Sequence, residues 1–302
     1  MSCRPFDLSS QVGGLNLRTP VVIASGVWPY EPALWAPDRL EGAGALCTKA
    51  VSLNPRKGNQ GTRIWETPCG MLNSIGLQNS GVRGFLREGL PVAKSSGLPF
   101  LVNLVMESER DVRESLAILR DGPGEIPAIE LNISCPNVDG DGMDWGVSPE
   151  SAARAVAIVR SGWTGPLWVK LTPQAPDLAA VARAAEGEGA DALVCANTWL
   201  GMAMDVKKKR PAFRRVVAGL SGPAVFPLAL RALWQICGAV EIPVVGCGGV
   251  AGWEDAAAMI LAGASAVEIG SALPRKISGG LAAYGAEHGA ASVRDLVGLG
   301  RI

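Results

Sequence analysis

The sequence predicts a closed (β/α)8 barrel, and three observations predict it. Eight short apolar runs recur along the chain, each followed by a Gly- or Asn-rich turn and then by helical periodicity. The runs lack strict alternation of apolar and polar residues, as expected of parallel strands covered on both faces. No linker-like composition shift divides the 302 residues, and barrels of this kind routinely occupy ~250 residues as one domain. A single domain over 1–302 is therefore expected.

In order, the candidate strands are 20–24 (PVVIA), 45–49 (ALCTK), 100–104 (FLVNL), 128–133 (AIELNI), 167–171 (LWVKL), 192–196 (ALVCA), 243–246 (PVVG) and 266–269 (AVEI). Between them, apolar positions recur at three and four in 151–160, 178–188, 228–240 and 254–261, as helices with one buried face require.

Composition narrows the function. Basic and acidic side chains balance at 28 each, so no long-range field draws in a phosphate backbone, and nucleic-acid binding is not expected. No apolar stretch approaches the ~20 residues of a membrane span. The seven cysteines are scattered without a CxxC, which encodes neither an iron–sulfur cluster nor a structural zinc. The start, MSCRPFDLSS, has no charged n-region or apolar h-region; a cytoplasmic, reducing setting is expected.

In such barrels catalytic groups come from the C-terminal strand ends and the loops beyond them. Here those places hold Lys49, Asn103, Asn132, Cys135, Lys170, Asn197 and Thr198. Any one of them alone reads equally well as a polar residue capping a turn; several together point to one cavity. The last two strands lead into GCGGV (246–250) and Ile269-Gly270-Ser271, where glycine lets backbone N–H groups approach an anion. Glycine also serves tight turns, but loops seven and eight are the habitual phosphate site of this fold. Neither Walker A nor GxGxxG is present.

The segments NSIGLQN (73–79), ELNISCPNV (130–138), VKLTP (169–173), ANTWLGMAMD (196–205), GLSGPA (219–224), GCGGV and GASAVEIGS (263–271) resemble the dihydroorotate dehydrogenase family, most closely its class 1B catalytic subunits. The similarity runs from about Leu15 to the C-terminus. It implies an FMN-binding barrel that oxidises dihydroorotate to orotate in pyrimidine synthesis. Cys135 then corresponds to the base that removes the C5 proton while C6 delivers hydride to the flavin. A thiol, with a reference pKa of about 8.5, suits that task without a histidine; the sole histidine, His288, lies away from every motif. The glycine-containing loop 136–149 would act as a lid, or be an ordinary surface loop.

The resemblance also implies that Asn73, Asn132 and Asn197 bind the pyrimidine, completed by the backbone of Ser74, Ile75, Gly76 and Leu77 and by the Thr198 hydroxyl. A carboxamide offers both donor and acceptor, as that ring edge requires. Lys49 would touch both flavin and substrate, and Lys170 would face the ring position where negative charge accumulates. The implied FMN contacts are Ser25, Lys49, Ala50, Asn103, Asn132, Lys170, Ala196, Gly222, Gly248, Gly249, Gly270 and Ser271. Cys3, Cys47, Cys69, Cys195, Cys237 and Cys247 read as packing thiols.

The chain departs from the family at Val27-Trp28-Pro29-Tyr30 after Ser25-Gly26, and at Gly270-Ser271 in place of Gly-Thr. Trp28, Trp145 and Trp199 fall in loops near the inferred site, either lining it or covering a partner-facing surface. The run Lys207-Lys208-Lys209-Arg210 reads as a solvated excursion or a docking patch. Class 1B relatives pass electrons to NAD through a second subunit holding FAD and [2Fe-2S], so a homodimer flanked by two such subunits, a heterotetramer, is implied. A fumarate-linked class 1A enzyme, another dihydropyrimidine dehydrogenase and a non-redox phosphate-binding barrel acting as isomerase or lyase are the alternatives.

Overall fold

A computed structural model describes residues 5–27, 37–122, 124–134 and 145–301. All eight expected strands are present: β1 Val21–Ile23, β2 Ala45–Cys47, β3 Phe100–Val105, β4 Ala128–Asn132, β5 Leu167–Lys170, β6 Ala192–Cys195, β7 Val244–Cys247 and β8 Ala266–Ile269. They pair in parallel in chain order, and β8 returns to β1 through Val267 against Val21 and Ile269 against Ile23, which closes the barrel. This is the expected (β/α)8 architecture.

Helices lie between the strands. Pro149–Arg160 starts where Ser148 Oγ accepts from Ser151 N at 3.2 Å, a cap that satisfies one of the free N–H groups of the first turn. Leu178–Gly187 is capped in the same way by Asp177. Phe226–Cys237 begins two residues earlier than its apolar spacing suggested and stops at Gly238, while Trp253–Leu261 agrees closely with expectation. The outward side chains of the strands and the inner faces of these helices form the main core.

Alternate strand residues point inward, and they form two layers of different chemistry. The lower layer is apolar: Val22, Ala45, Leu101, Ala128, Trp168, Ala192, Val245 and Ala266 are all buried. A hairpin, Ser10–Val12 with Leu15–Leu17, plugs that end with Val12, Leu15 and Leu17. Its turn passes so close to Trp168 that a Cβ on Gly13 would meet the indole Nε1 at 2.4 Å, and that N–H donates to Gly13 O at 3.1 Å. One step up each strand the same parity places Cys47, Asn103, Glu130, Lys170, Cys247 and Glu268 inward. Polarity at one end of the barrel and a plug at the other leave a single chemically equipped mouth.

The sequence reading did not include an antiparallel sheet in the order Trp199–Met202, Val217–Ser221, Gly70–Asn73, Ile64–Thr67. These strands come from the loops after β2 and β6, and their short, mixed sequences carry no parallel-strand signature. The run Lys207 to Arg210 links the paired dipeptides Met204–Asp205 and Arg210–Pro211 and is exposed throughout, as a solvated excursion would be.

Candidate active site

The barrel parity positions the predicted residues. Asn103 and Lys170 lie within strands, Asn132 ends β4, and Ser25, Lys49, Ala50, Ala196, Asn197 and Thr198 sit just beyond strand ends. β2 ends at Cys47 rather than Lys49, so Lys49 belongs to the loop. Its ammonium reaches the turn after β1, where a Cβ on Gly26 would lie 3.6 Å from Nζ. Burial depresses the Lys49 pKa.

Two amides meet directly. Asn132 Oδ1 accepts from Ser134 Oγ at 2.6 Å and from Ser134 N at 3.1 Å, and Asn197 Nδ2 donates to Ser134 Oγ at 2.5 Å. Asn73 arrives from the added sheet: its Nδ2 donates to Gly219 O at 3.3 Å. A Cβ on Gly219 would meet Thr198 Oγ1 at 2.3 Å and Asn73 Nδ2 at 3.4 Å, so Asn73 and Thr198 converge over that glycine. Gly76 and Leu77 both have positive φ, 75° and 53°, a conformation uncommon for leucine. Ser74 N–H is engaged by Arg63 O, Ile75 O accepts from Asn59 N, and Ser74 Oγ accepts from Asn59 Nδ2.

The glycine loop after β7 presses on a helix start. Gly248 and Gly249 have φ of 129° and 77°, and a Cβ on Gly249 would lie 2.6 Å from Phe226 N. The helix Phe226–Cys237 has no side-chain cap, but its Phe226 N–H donates to Pro223 O and Pro227 has no N–H, so what its start brings to this loop free of side chains is chiefly the positive dipole end. Gly270 is exposed and open, with Val27 Cγ2 at 4.0 Å the nearest atom to a Cβ there; Ser271 is exposed beside it. Gly222 has another reason to be glycine, since a Cβ would strike Gly70 Cα at 2.6 Å. Buried Asn103 donates Nδ2 to Glu130 Oε1 at 2.5 Å, while its Oδ1 has no partner among the described residues. An unspent acceptor and a glycine-lined helix start fit a flat imide ring with a phosphate tail.

Comparison with known proteins agrees with this geometry. Residues 7–279 match the family model described as dihydroorotate dehydrogenase. The chain belongs to the dihydroorotate dehydrogenase family. It is 41% identical to the protein named dihydroorotate dehydrogenase B (NAD(+)), catalytic subunit, of Geotalea daltonii, over 98% of this chain and 99% of that one. Proteins of the same name from Phocaeicola vulgatus and Bacteroides thetaiotaomicron are 43% and 42% identical, each over 97% of this chain and 98% of the relative.

Some family-derived expectations fall beyond the described residues. Cys135 and Trp28 lie outside them, as do Cys3 and residues 136–144 of the expected lid. The end of that loop is anchored: Trp145 is buried and its Nε1 donates to Glu107 O at 3.2 Å. Trp199 is half-buried at the start of the added sheet. Cys47 and Cys195 are buried and Cys237 and Cys247 half-buried, whereas Cys69 is exposed; the packing role expected of Cys69 is corrected, because the turn joining 64–67 to 70–73 carries it outward.

The dihydroorotate dehydrogenase motifs also held residues to which the sequence reading gave no role. Ser134 ties the two amides, and Glu130 and Glu268 flank Lys170, whose Nζ lies 2.6 Å from Glu268 Oε2 and 3.5 Å from Glu130 Oε1. Burial alone would depress the Lys170 pKa, but the two carboxyls hold it well above the usual lysine range. Burial would raise Glu130, yet Lys170 pulls it below the ordinary carboxylate value, whereas burial and then Glu130 push Glu268 up to about 8. The available signal was an acidic residue inside an otherwise apolar strand, in AIELN and AVEI.

Proposed function

We propose that this chain is the catalytic subunit of an NAD-linked dihydroorotate dehydrogenase, an oxidoreductase that binds FMN and oxidises dihydroorotate to orotate in pyrimidine biosynthesis. The observation that carries the reading is the Asn132–Ser134–Asn197 network, which ties two carboxamides together at the ends of β4 and β6, one residue before Cys135.

Bound FMN supplies the two-electron acceptor that takes hydride from substrate C6. Asn103 would accept from the imide of its ring, Lys170 would face the ring from the β5 end, and the loops at Gly248-Gly249 and Gly270-Ser271 would hold its phosphate beside the Phe226 helix start; Ser25, Lys49, Ala50, Ala196 and Gly222 complete the surround. Asn73, Asn132, Asn197 and Thr198, with the backbone of 74–77, orient the pyrimidine, and Lys49 meets the substrate carboxylate. Its partial burial strengthens that contact relative to water. Cys135 takes the C5 proton, so C–H cleavage at C5 and C6 leaves the C5–C6 double bond.

Electrons leave through a partner subunit carrying FAD and [2Fe-2S] to NAD, in a cytoplasmic heterotetramer built on a homodimer. Support comes from the words "NAD(+)" and "catalytic subunit" in the names of the relatives, and no helix among the described residues is long and apolar enough to cross a membrane. Anaerobic titration of the purified chain tests the reading. Dihydroorotate should bleach the flavin band stoichiometrically and dihydrouracil should not, with NAD reoxidising the flavin only when the partner subunit is added. A colourless protein, or bleaching by dihydrouracil alone, overturns it; reoxidation of the isolated chain by fumarate would replace only the partner assignment.

A further inference from the structure

We propose that Glu130 and Glu268 are a proton-sharing carboxyl pair beneath the flavin site, holding one proton between them and thereby setting how much of the Lys170 charge the cofactor feels. The inference rests on the reading above that Lys170 faces the flavin ring; the pair itself is read from the barrel interior.

The residues come from opposite sides of the barrel, β4 and β8, and neither is accessible to solvent beyond 1%. One oxygen of each, with Cys47 Sγ, lies within 4.8 Å of the others. A single ammonium serves both, since Lys170 Nζ is bonded to Glu268 Oε2 and lies next to Glu130 Oε1. Two carboxylates that close in a dry interior do not both stay ionised.

The orphaned atoms point the same way. Glu130 Oε2 and Glu268 Oε1 are buried and accept from no described group. A proton on one carboxyl turns two unsatisfied acceptors into a donor and an acceptor. The remaining neighbours do not compete for that proton. Asn103 on β3 is uncharged, Val194 on β6 and Val22 on β1 are apolar, and the thiols of Cys47 on β2 and Cys247 on β7 are pushed up by burial, Cys247 to about 12.

With the proton in place the cluster is neutral: one ammonium, one carboxylate, one acid. Without it the cluster carries one negative charge beneath the ring. Reduction adds negative charge to the flavin, so the pair must hold its proton to a higher pH when the flavin is reduced than when it is oxidised. Glu130 and Glu268 are thus positioning residues that act through Lys170.

Midpoint potentials of the FMN-loaded protein, measured from pH 6 to 10 against a reference dye, test this without dihydroorotate. The native protein should take up one additional proton per two electrons above about pH 8, following Glu268. Glu268→Gln and Glu130→Gln should each lose that step, because the carboxylate left behind pairs with Lys170 and titrates far below this range. The double variant should show a raised potential throughout. A native profile without the additional proton overturns the proposal, as does a step that survives in both single variants. If the variants do not fold, reduced-minus-oxidised infrared spectra of the native protein decide: a protonated-carboxyl band should appear on reduction at pH 9, and its absence overturns the proposal. Failure of dihydroorotate to bleach the flavin would sink the functional reading while leaving these dye-based potentials interpretable. If the chain binds no flavin, proton uptake on folding at pH 7 still reports the pair, and a Glu268→Gln protein with the same uptake refutes it.

Discussion

Ser134 Oγ lies 2.5 Å from Asn197 Nδ2 while donating to Asn132 Oδ1, so one hydroxyl couples the loop after β6 to the end of β4. The next residue is Cys135. The same contact that ties the two amides therefore also holds the last described residue before the proposed base.

Ser134→Ala should loosen both amides while leaving the other implied flavin contacts in place. We expect the KM for dihydroorotate to rise about two- to tenfold, the scale of one buried hydrogen bond at ~0.5–1.5 kcal/mol. Steady-state kinetics check this, together with an unchanged flavin-to-protein absorbance ratio. A variant that loses kcat at constant KM would place Ser134 in the chemical step instead.

Cys135→Ala should retain FMN and slow flavin reduction by dihydroorotate by about 10² or more, the scale of losing a general base. Anaerobic stopped-flow measurement resolves this directly. Native reduction rates in the variant would remove the thiol from the mechanism.

Gly249→Ala places a methyl 2.6 Å from Phe226 N on a backbone with φ of 77°. Both clash and strain act on the cradle, at a cost of about 1–3 kcal/mol. The purified variant should fold but contain little FMN, and added FMN should bind at least tenfold more weakly by fluorescence quenching.

At the plugged end, Trp168→Phe leaves Gly13 O without its indole donor. The expected loss is about 1–3 kcal/mol, read by urea denaturation, since an unpaired buried carbonyl carries the desolvation penalty. Flavin reduction should be unchanged, because this contact lies a full layer below Lys170. A stable variant with altered flavin reduction would contradict the separation of plug and site.

The raised pKa of Glu268 has a definite linkage sign. Its acid form is favoured by the fold, so the associated stability is complete below the unfolded carboxylate value of 4.5 and is lost as pH rises through about 8. Glu130, lowered, contributes stability that is lost as pH falls below 4.5, and Lys170, raised, contributes stability that is lost as pH rises above 10.5, so both act outside this window. Urea stability of the native protein should fall between pH 5 and 8, and Glu268→Gln should flatten that fall; an unaltered slope would assign it elsewhere.

Much of this was legible because a parallel barrel writes itself locally. A strand buried on both faces needs an apolar run, its return needs a turn and a helix, and PVVIA through AVEI announced every barrel strand to within two residues at each end. Lys49, Asn103, Asn132, Lys170 and Asn197 stood out as polar residues at such strand ends. The antiparallel sheet did not stand out, because its central pairing joins 71–73 to 219–221 far along the chain, and 64–67 and 199–202 only flank that pair. Glu130 and Glu268 were likewise visible as letters but silent as chemistry.

What the sequence determined by itself is the barrel, its order of strands and the ends at which polar groups and glycines gather, since each follows from short-range periodicity. Only the tertiary structure decided which of those groups touch. Ser134 became a hub, Gly222 a steric necessity against Gly70, and two acids 138 positions apart in the chain became neighbours of one lysine. The physical reason is that closing the sheet brings β8 back to β1 and turns alternate side chains of every strand into a common interior, a relation no local window of residues contains.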